Sequence, residues 1–199
     1  MMKTLCAGAV VLSTAVVAFA QAPWAKQPAE VMGIRLGAPL ESAGIQPCDA
    51  INEVRGRLTT LAICYQTLAA PSRPDRTLFA VHNAPDFGAG EKRVYLDVAH
   101  GHIAGVQLNG HAIRFDKMVA VLEDRYGPAT ETVAGKARTA AGGEIATVSK
   151  RWRGDRVTIE ATAPFGQADE YTVYWSDLTA QARRDEFSSR EAATRASKL

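Results

Sequence analysis

Apolar and polar residues alternate along several segments of the chain, and a period of two is typical of β-strands with one buried face. Met32, Ile34 and Leu36 alternate with Gly33 and Arg35, which predicts a first strand. Further strands are predicted for residues 61–68, 77–82 and 171–175. Because prolines and glycines fall between these segments, we expect short strands separated by loops and turns.

A hairpin is predicted around His100-Gly101, where two apolar runs meet at a glycine. Strict alternation fails once in the second run, and a one-residue bulge at Ala104-Gly105 restores its apolar face. We therefore expect a pair of antiparallel strands with a single irregularity in the second one.

A second hairpin is predicted over residues 145–163, with a two-residue turn at Gly154-Asp155. The cross-strand pairs of the apolar face are then Trp152 with Val157, Lys150 with Ile159 and Val148 with Ala161. Those of the polar face are Arg151 with Thr158 and Ser149 with Glu160. We therefore expect Trp152 in the core and Arg151 at the surface.

Helical spacing of apolar residues predicts an amphipathic helix over residues 116–125, and Gly127-Pro128 ends it. A last helix is expected after Ser176-Asp177, because both residue types are common helix N-caps. The order of these elements predicts the α+β class: an antiparallel sheet of hairpins with one amphipathic helix packed on it and a C-terminal helix.

The first twenty residues have the three-part order of a secretory signal peptide. A short basic start precedes an uncharged apolar run over residues 5–20, which ends in the small-x-small sequence Ala18-Phe19-Ala20. A transmembrane helix is the alternative, but it needs about 20 consecutive apolar residues, and serine and threonine interrupt this run. We therefore expect cleavage after residue 20, a periplasmic or secreted protein and no membrane anchor.

The chain without its signal peptide has a length that suits one domain. The divisions that we expect are the signal peptide at 1–20, a flexible leading segment at 21–29, a single α+β domain at 30–180 and a polar C-terminal helix or tail at 181–199. Two prolines and the lack of any periodicity indicate the flexible segment.

Cleavage after residue 20 removes Cys6 and leaves Cys48 and Cys64 as the only cysteines. An even number of cysteines in an exported protein predicts a disulfide bond, and two unpaired buried thiols are the alternative. Cleavage also removes Lys3, which leaves 22 of the 23 basic side chains against 21 acidic ones. No charge block stands out, so we expect neither nucleic acid nor an anionic membrane surface as a partner.

Two short motifs are similar to sequences found elsewhere. The segment Gly-Ile-Arg-Leu-Gly-Ala-Pro-Leu over residues 33–40, followed by Cys48, resembles the start of uncharacterised exported periplasmic proteins of Gram-negative bacteria. The helix that ends in Tyr126-Gly127-Pro128 before a strand with Trp152 also resembles them, although the usual pattern has one residue between glycine and proline. The resemblance implies a location in the cell envelope and no known chemistry.

All four histidines fall between residues 82 and 111. His100 and His102 flank a tight turn with Asp97 nearby, and histidine and carboxylate side chains are common ligands of zinc and copper. Solvated turn residues are the alternative that we favour, because no third ligand is clearly placed to close the coordination shell. We therefore expect no metal and no other cofactor, with His100 and His102 as weak metal-ligand candidates.

The polar face of the second hairpin is the candidate binding face, because charged side chains gather on it: Arg151, Arg153, Arg156 and Glu160. Known catalytic sequences such as Gly-x-Ser-x-Gly, His-Glu-x-x-His and the Walker loop are absent from the chain. We therefore expect a non-catalytic binding or interaction module of the cell envelope, whose partner is an unknown protein or small ligand. The alternative is a periplasmic hydrolase with scattered active residues.

Overall fold

The computed structural model describes residues 24–48, 51–52, 57–58, 62–68, 76–138, 142–165 and 169–196. The predicted signal peptide at 1–20 lies outside the described residues. Within the described ranges the chain forms thirteen strands: β1 (Glu30–Val31), β2 (Ile34–Arg35), β3 (Gln46–Pro47), β4 (Ile51–Asn52), β5 (Arg57–Leu58), β6 (Cys64–Thr67), β7 (Arg76–His82), β8 (Glu91–Ala99), β9 (His102–His111), β10 (Glu131–Arg138), β11 (Glu144–Arg153), β12 (Val157–Ala163) and β13 (Glu170–Asp177). The α-helices of the same ranges are α1 (Phe115–Tyr126) and α2 (Leu178–Ala196), and Leu40–Ser42 and Ala112–Arg114 form short 3-10 helices.

Nine strands form one mixed sheet in the order β10-β11-β12-β13-β9-β8-β7-β6-β3. Neighbours in this sheet are antiparallel except β3 and β6, which run parallel. The α+β class is therefore confirmed in outline. The expectation of a purely antiparallel sheet is only partly met, because the chain before Cys48 joins the edge alongside β6, where the backbone N–H of Cys48 donates to Tyr65 O at 2.9 Å.

One face of the sheet carries most of the core. Alternate residues of β9, β12 and β13 are fully buried on it, among them Val106, Leu108, Ile159, Val173 and Trp175. Helix α1 covers this face with its apolar side, which consists of Phe115, Met118, Val119 and Leu122. The predicted amphipathic helix is therefore confirmed.

The hairpin formed by β8 and β9 has the predicted turn and bulge. His100 and Gly101 both take positive φ angles, 48° and 76°, as a two-residue turn between twisted strands requires. Asp97 pairs with Gly105 and the next residue of β8 pairs with Ile103, so Ala104 is the extra residue of the bulge. The bulge keeps both strands' apolar residues on the core face.

The first predicted strand is instead a tight hairpin. Met32 and Gly33 take φ angles of 55° and 80°, so the chain reverses between β1 and β2. Val31 and Ile34 pair across the turn, and both side chains are buried in the core. The prediction of one continuous strand through Leu36 is wrong, because glycine at this position allows the left-handed conformation of a turn.

The hairpin formed by β11 and β12 keeps the predicted faces but not the predicted register. Trp152 pairs with Ile159 rather than Val157, and Arg151 pairs with Glu160 rather than Thr158. The register is therefore wrong by two residues. Because a shift by two preserves the alternation of faces, Trp152 is fully buried as expected.

The reason for the shifted register is a side chain that lies far away in the sequence. The Oε1 atom of Gln27 accepts hydrogen bonds from the backbone N–H groups of Arg156 and Val157, at 2.9 and 3.0 Å. Its Nε2 atom donates to Asp155 at 2.5 Å. These bonds hold a four-residue connection between the paired residues Arg153 and Thr158.

The leading segment contacts the body of the protein from Trp24 onwards. Trp24 is buried, and its Nε1 atom donates to Tyr126 O at 2.7 Å. Together with Gln27, this contact joins the segment before β1 to the end of α1 and to the β11–β12 turn.

The sulfur atoms of Cys48 and Cys64 lie at disulfide distance, 2.17 Å apart, as expected for a bond between them. The bond links the residue after β3 to the first residue of β6, where Cys64 is fully buried. It therefore fastens the edge of the sheet opposite β10.

Helix α2 lies on the face of the sheet opposite α1. The predicted cap is confirmed, since Asp177 Oδ1 accepts a hydrogen bond from the backbone N–H of Ala180 at 2.8 Å. Ala180 packs against Ala99 and Ala104, the bulge residue of β9. Because the side chains at this contact are small, the helix approaches the sheet closely. It covers part of the polar face of the sheet.

Candidate ligand-binding site

A cavity of about 500 Å³ opens on the polar face of the sheet beside α2. Five strands and the first turns of α2 line it, with Arg76, Gln107, Ser149, Glu160, Thr162, Phe165, Thr172, Tyr174, Gln181 and Arg184. The strand residues reach it because they alternate with core residues on β9, β12 and β13. The same strands that form the core thus present a row of polar groups on their other face.

Asp97 on β8 anchors two of the lining residues. Its side chain is fully buried, and its carboxylate accepts hydrogen bonds from Arg76 Nε at 2.7 Å and from the Tyr174 hydroxyl at 2.5 Å. A buried carboxylate needs such partners, because it has lost its hydration. Asp97 therefore fixes the positions of a guanidinium and a phenol at the cavity wall.

The pKa of Tyr174 is raised well above its usual value, first by burial and then by the negative charge of Asp97. The phenol therefore stays protonated and donates its hydrogen to the carboxylate. Gly105 makes room for this ring, since a Cβ atom added there would lie 2.8 Å from Tyr174 Cζ and 2.5 Å from Trp175 O. The glycine is required by close approach rather than by its φ angle.

Several amide and hydroxyl side chains of the wall are held by hydrogen bonds. The Oδ1 atom of Asn109 accepts from Gln107 Nε2 at 2.9 Å and from Thr172 Oγ1 at 3.2 Å. The hydroxyls of Ser149 and Thr162 lie 2.8 Å apart across β11 and β12. These contacts hold the side chains in fixed positions, which reduces the entropy that binding a ligand costs.

The predicted binding face lies beside this cavity and is only partly assembled. Arg151 contacts Glu160 at 3.0 Å and Glu131 at 3.7 Å, while Arg153 contacts Glu131 at 2.8 Å. The hydrogen bond from Arg153 holds the pKa of Glu131 below its usual range. Arg156 lies apart from them in the turn, where its guanidinium donates to Pro28 O at 3.0 Å.

The structure therefore brings Arg151, Arg153 and Glu160 together, and it uses Arg156 to hold the leading segment. Of these residues only Glu160 also lines the cavity. The charges of the arginines are met by carboxylates of the same sheet, so this face forms an exposed ion-pair network.

His100 and His102 lie in and next to the β8–β9 turn. The ring of His100 packs against Phe187 of α2, with 4.2 Å between centroids, and His102 Nδ1 lies 3.0 Å from His100 O. Asp97, their neighbour in sequence, is bound to Arg76 and Tyr174 instead. Among the described residues no group of three histidine, cysteine or acidic side chains is placed to hold a metal ion.

Sequence reasoning missed most of the cavity. One signal is common to the missed residues: a polar residue stands at every second position of a strand whose other positions are buried. The residues with this signal are Arg76, Gln107, Thr172 and Tyr174. That signal also describes an ordinary solvated sheet face. The difference lies in α2, whose position on the sheet converts part of the face into a cavity.

Comparison of the chain with protein-family models, with curated proteins and with solved structures finds no match. Within the described ranges, neither helix has the length and apolar character needed to cross a membrane.

Proposed function

We propose that this chain is exported to the periplasm and binds a small polar ligand in the cavity without converting it. The cavity of about 500 Å³ carries this proposal. Small-molecule sites typically measure about 300–1,000 Å³, and a few fixed polar groups orient the ligand in them.

The bonding within the wall supports binding rather than catalysis. A nucleophilic hydroxyl needs a base within hydrogen-bonding distance, and the Ser149 and Thr162 hydroxyls bond to each other. The carboxylate of Asp97 is held by two donors. The described lining residues include no histidine or cysteine. The wall therefore offers hydrogen-bonding groups in fixed positions and a defined shape, and a binding site requires both.

Two features support export. The first twenty residues have the order of a signal peptide, and Cys48 and Cys64 lie at disulfide distance, a bond that persists in oxidising compartments. Cell fractionation followed by mass spectrometry tests this part of the proposal. We expect a periplasmic protein that begins at Gln21, and a cytoplasmic protein that retains residues 1–20 contradicts it.

Binding is tested on protein purified from the periplasmic fraction by a thermal-shift screen of sugars, amino acids, short peptides and small organic acids. A hit is then measured by calorimetry with Thr162→Val, which removes a hydroxyl from the cavity wall. Thr158→Val is the matched control, because Thr158 lies on the same strand and face but outside this cavity. We expect weaker binding only for Thr162→Val.

The same hits are incubated with the protein and analysed for products. Turnover that Asp97→Asn or Glu160→Gln abolishes would overturn the proposal in favour of a hydrolase. Equal loss of binding in the Thr162 and Thr158 variants would place the ligand elsewhere.

A further inference from the structure

The charged side chains around the cavity differ in how strongly they are paired. Arg76 is neutralised by Asp97, and Glu160 is neutralised by Arg151, with distances of 2.7 and 3.0 Å. Both ion pairs are internal to the sheet. Arg184 of α2 is the remaining charged residue among those that line the described wall.

Arg184 has a carboxylate neighbour that leaves most of its charge available. Its Nε atom lies 3.5 Å from Asp185 Oδ1, and the side chain of Asp185 is 74% exposed. An ion pair with a well-solvated carboxylate is weak. The side chain of Arg184 is itself only 26% exposed, so its guanidinium is partly removed from water at the cavity wall.

Partial removal from water strengthens the attraction between a guanidinium and an anion, because the local dielectric constant is lower than in bulk water. A guanidinium also matches a carboxylate in shape, since it donates two parallel hydrogen bonds. Among the charged residues of the cavity wall, Arg184 therefore has the weakest carboxylate partner, and it lies next to amide and hydroxyl groups that suit the neutral part of a polar molecule.

We propose that the ligand is a small monoanion whose carboxylate binds Arg184, while its hydroxyl or amide groups bind the strand residues of the cavity. This inference rests on the proposed function, because it names the ligand class of the same site. One weakly paired guanidinium favours a single carboxylate over a neutral ligand.

Matched acid and neutral ligands test the inference by calorimetry. One pair is glucuronate and glucose, and the other is N-acetyl-alanyl-alanine and its C-terminal amide. We expect the acid of at least one pair to bind at least about tenfold more tightly than its neutral counterpart. We also expect that its affinity falls with added salt, because salt screens the attraction.

Variants of two adjacent arginines show which charge causes the preference for the acid ligand. Arg184→Gln should abolish the preference for the acid, whereas Arg183→Gln should keep it, because Arg183 is exposed and does not line the cavity. Arg184→Lys keeps the charge and should retain part of the preference. Thermal melting curves show whether each variant is folded.

The outcomes separate the two proposals. Equal affinity for acid and neutral ligands overturns the monoanion inference and leaves the binding function standing. A preference that survives Arg184→Gln also overturns the inference. The absence of binding by all four probes at millimolar concentration contradicts both proposals.

Discussion

The two faces of strand β13 differ in their contacts: one packs aromatic rings into the core, and the other presents hydrogen-bonded polar groups. Tyr171 and Trp175 point into the core beneath α1, where their rings pack against Phe115 and Phe87, with centroid distances of 6.1 and 5.8 Å. Thr172 and Tyr174 point to the other face, and both are hydrogen-bonded there. One strand therefore provides apolar contacts that stabilise the fold and fixed polar groups that suit a ligand.

The largest expected contrast between the faces is at adjacent residues of β11. Trp152→Ala removes a fully buried indole and its hydrogen bond to Gly127 O at 2.7 Å, and should lower the free energy of unfolding by about 3–5 kcal/mol. Arg151→Ala breaks partly exposed ion pairs with Glu131 and Glu160 and should cost less than about 1 kcal/mol. Chemical denaturation measures both values. Similar losses would show that the polar face contributes to stability as much as the core does.

The disulfide stabilises an edge strand that is buried at Cys64 but open to solvent farther along, since Gln66 and Thr67 of β6 are exposed. Cys48 and Cys64 are 16 residues apart. Closing a loop of this length restricts the unfolded chain, and replacing both cysteines by alanine should cost about 3 kcal/mol. Denaturation of the variant, compared with the oxidised protein, measures this loss. An unchanged midpoint would mean that packing alone holds this edge.

Two tyrosines of β13 sharpen the comparison because the same substitution should have different effects on the two faces. Tyr174→Phe removes a donor to the buried carboxylate of Asp97 and should cost about 1.5–3 kcal/mol. Tyr171 is fully buried, and its hydroxyl has no hydrogen-bond partner among the described residues. Tyr171→Phe should therefore leave stability unchanged or raise it by up to about 1 kcal/mol.

Denaturation curves of the two phenylalanine variants, with the double variant as a check on additivity, measure this difference. Equal losses at Tyr171 and Tyr174 would contradict it. They would indicate that the Tyr171 hydroxyl has a partner as strong as a carboxylate.

Local sequence signals were sufficient for the β8–β9 hairpin but not for β11–β12. In the first hairpin, the glycine after His100 indicates the turn, and the interrupted alternation near Ala104 indicates the bulge. In the second, Gly154-Asp155 suggests a two-residue turn that Gln27, 128 residues from Asp155, overrides. A contact at that separation leaves no trace in the local pattern.

Strand β10 was not predicted because it lies at the edge of the sheet. Neither of its faces is fully buried, and small residues such as Ala134 and Gly135 give it no alternation. The cavity was missed for a related reason, since polar residues at every second position indicate a face but not what covers it. Arg151, Arg153 and Glu160 of the predicted binding face lie on the same side of the sheet as the cavity, and of these three only Glu160 lines it.

The smallest expected effect concerns a pair of carboxyl groups, one from Asp86 in the loop before β8 and one from Glu91, the first residue of β8. Burial and the contact with Asp86 raise the pKa of Glu91 above its usual value of 4.5. The hydrogen bond from Glu91 lowers the pKa of Asp86, whose carboxyl group also accepts from the backbone N–H of Gly88. The pair is therefore most favourable with Glu91 protonated and Asp86 ionised.

Glu91→Gln should change how stability depends on pH. A carboxyl group with a raised pKa in the folded state binds its proton more tightly there than in the unfolded chain, so its contribution to stability is lost as the pH rises from 4.5 through the folded-state pKa. Glutamine mimics the protonated form, because its amide donates to Asp86 at every pH. The variant should therefore gain melting temperature relative to the natural chain between pH ~4 and pH ~7, by a few degrees at most. Glu41→Gln, at an exposed position, is the control and should show no such trend. If Glu91→Gln instead becomes less stable than the natural chain as the pH rises, the prediction is wrong. Glu91 would then be ionised in the folded protein, and this site would accommodate a charged carboxylate as the cavity face does at Asp97.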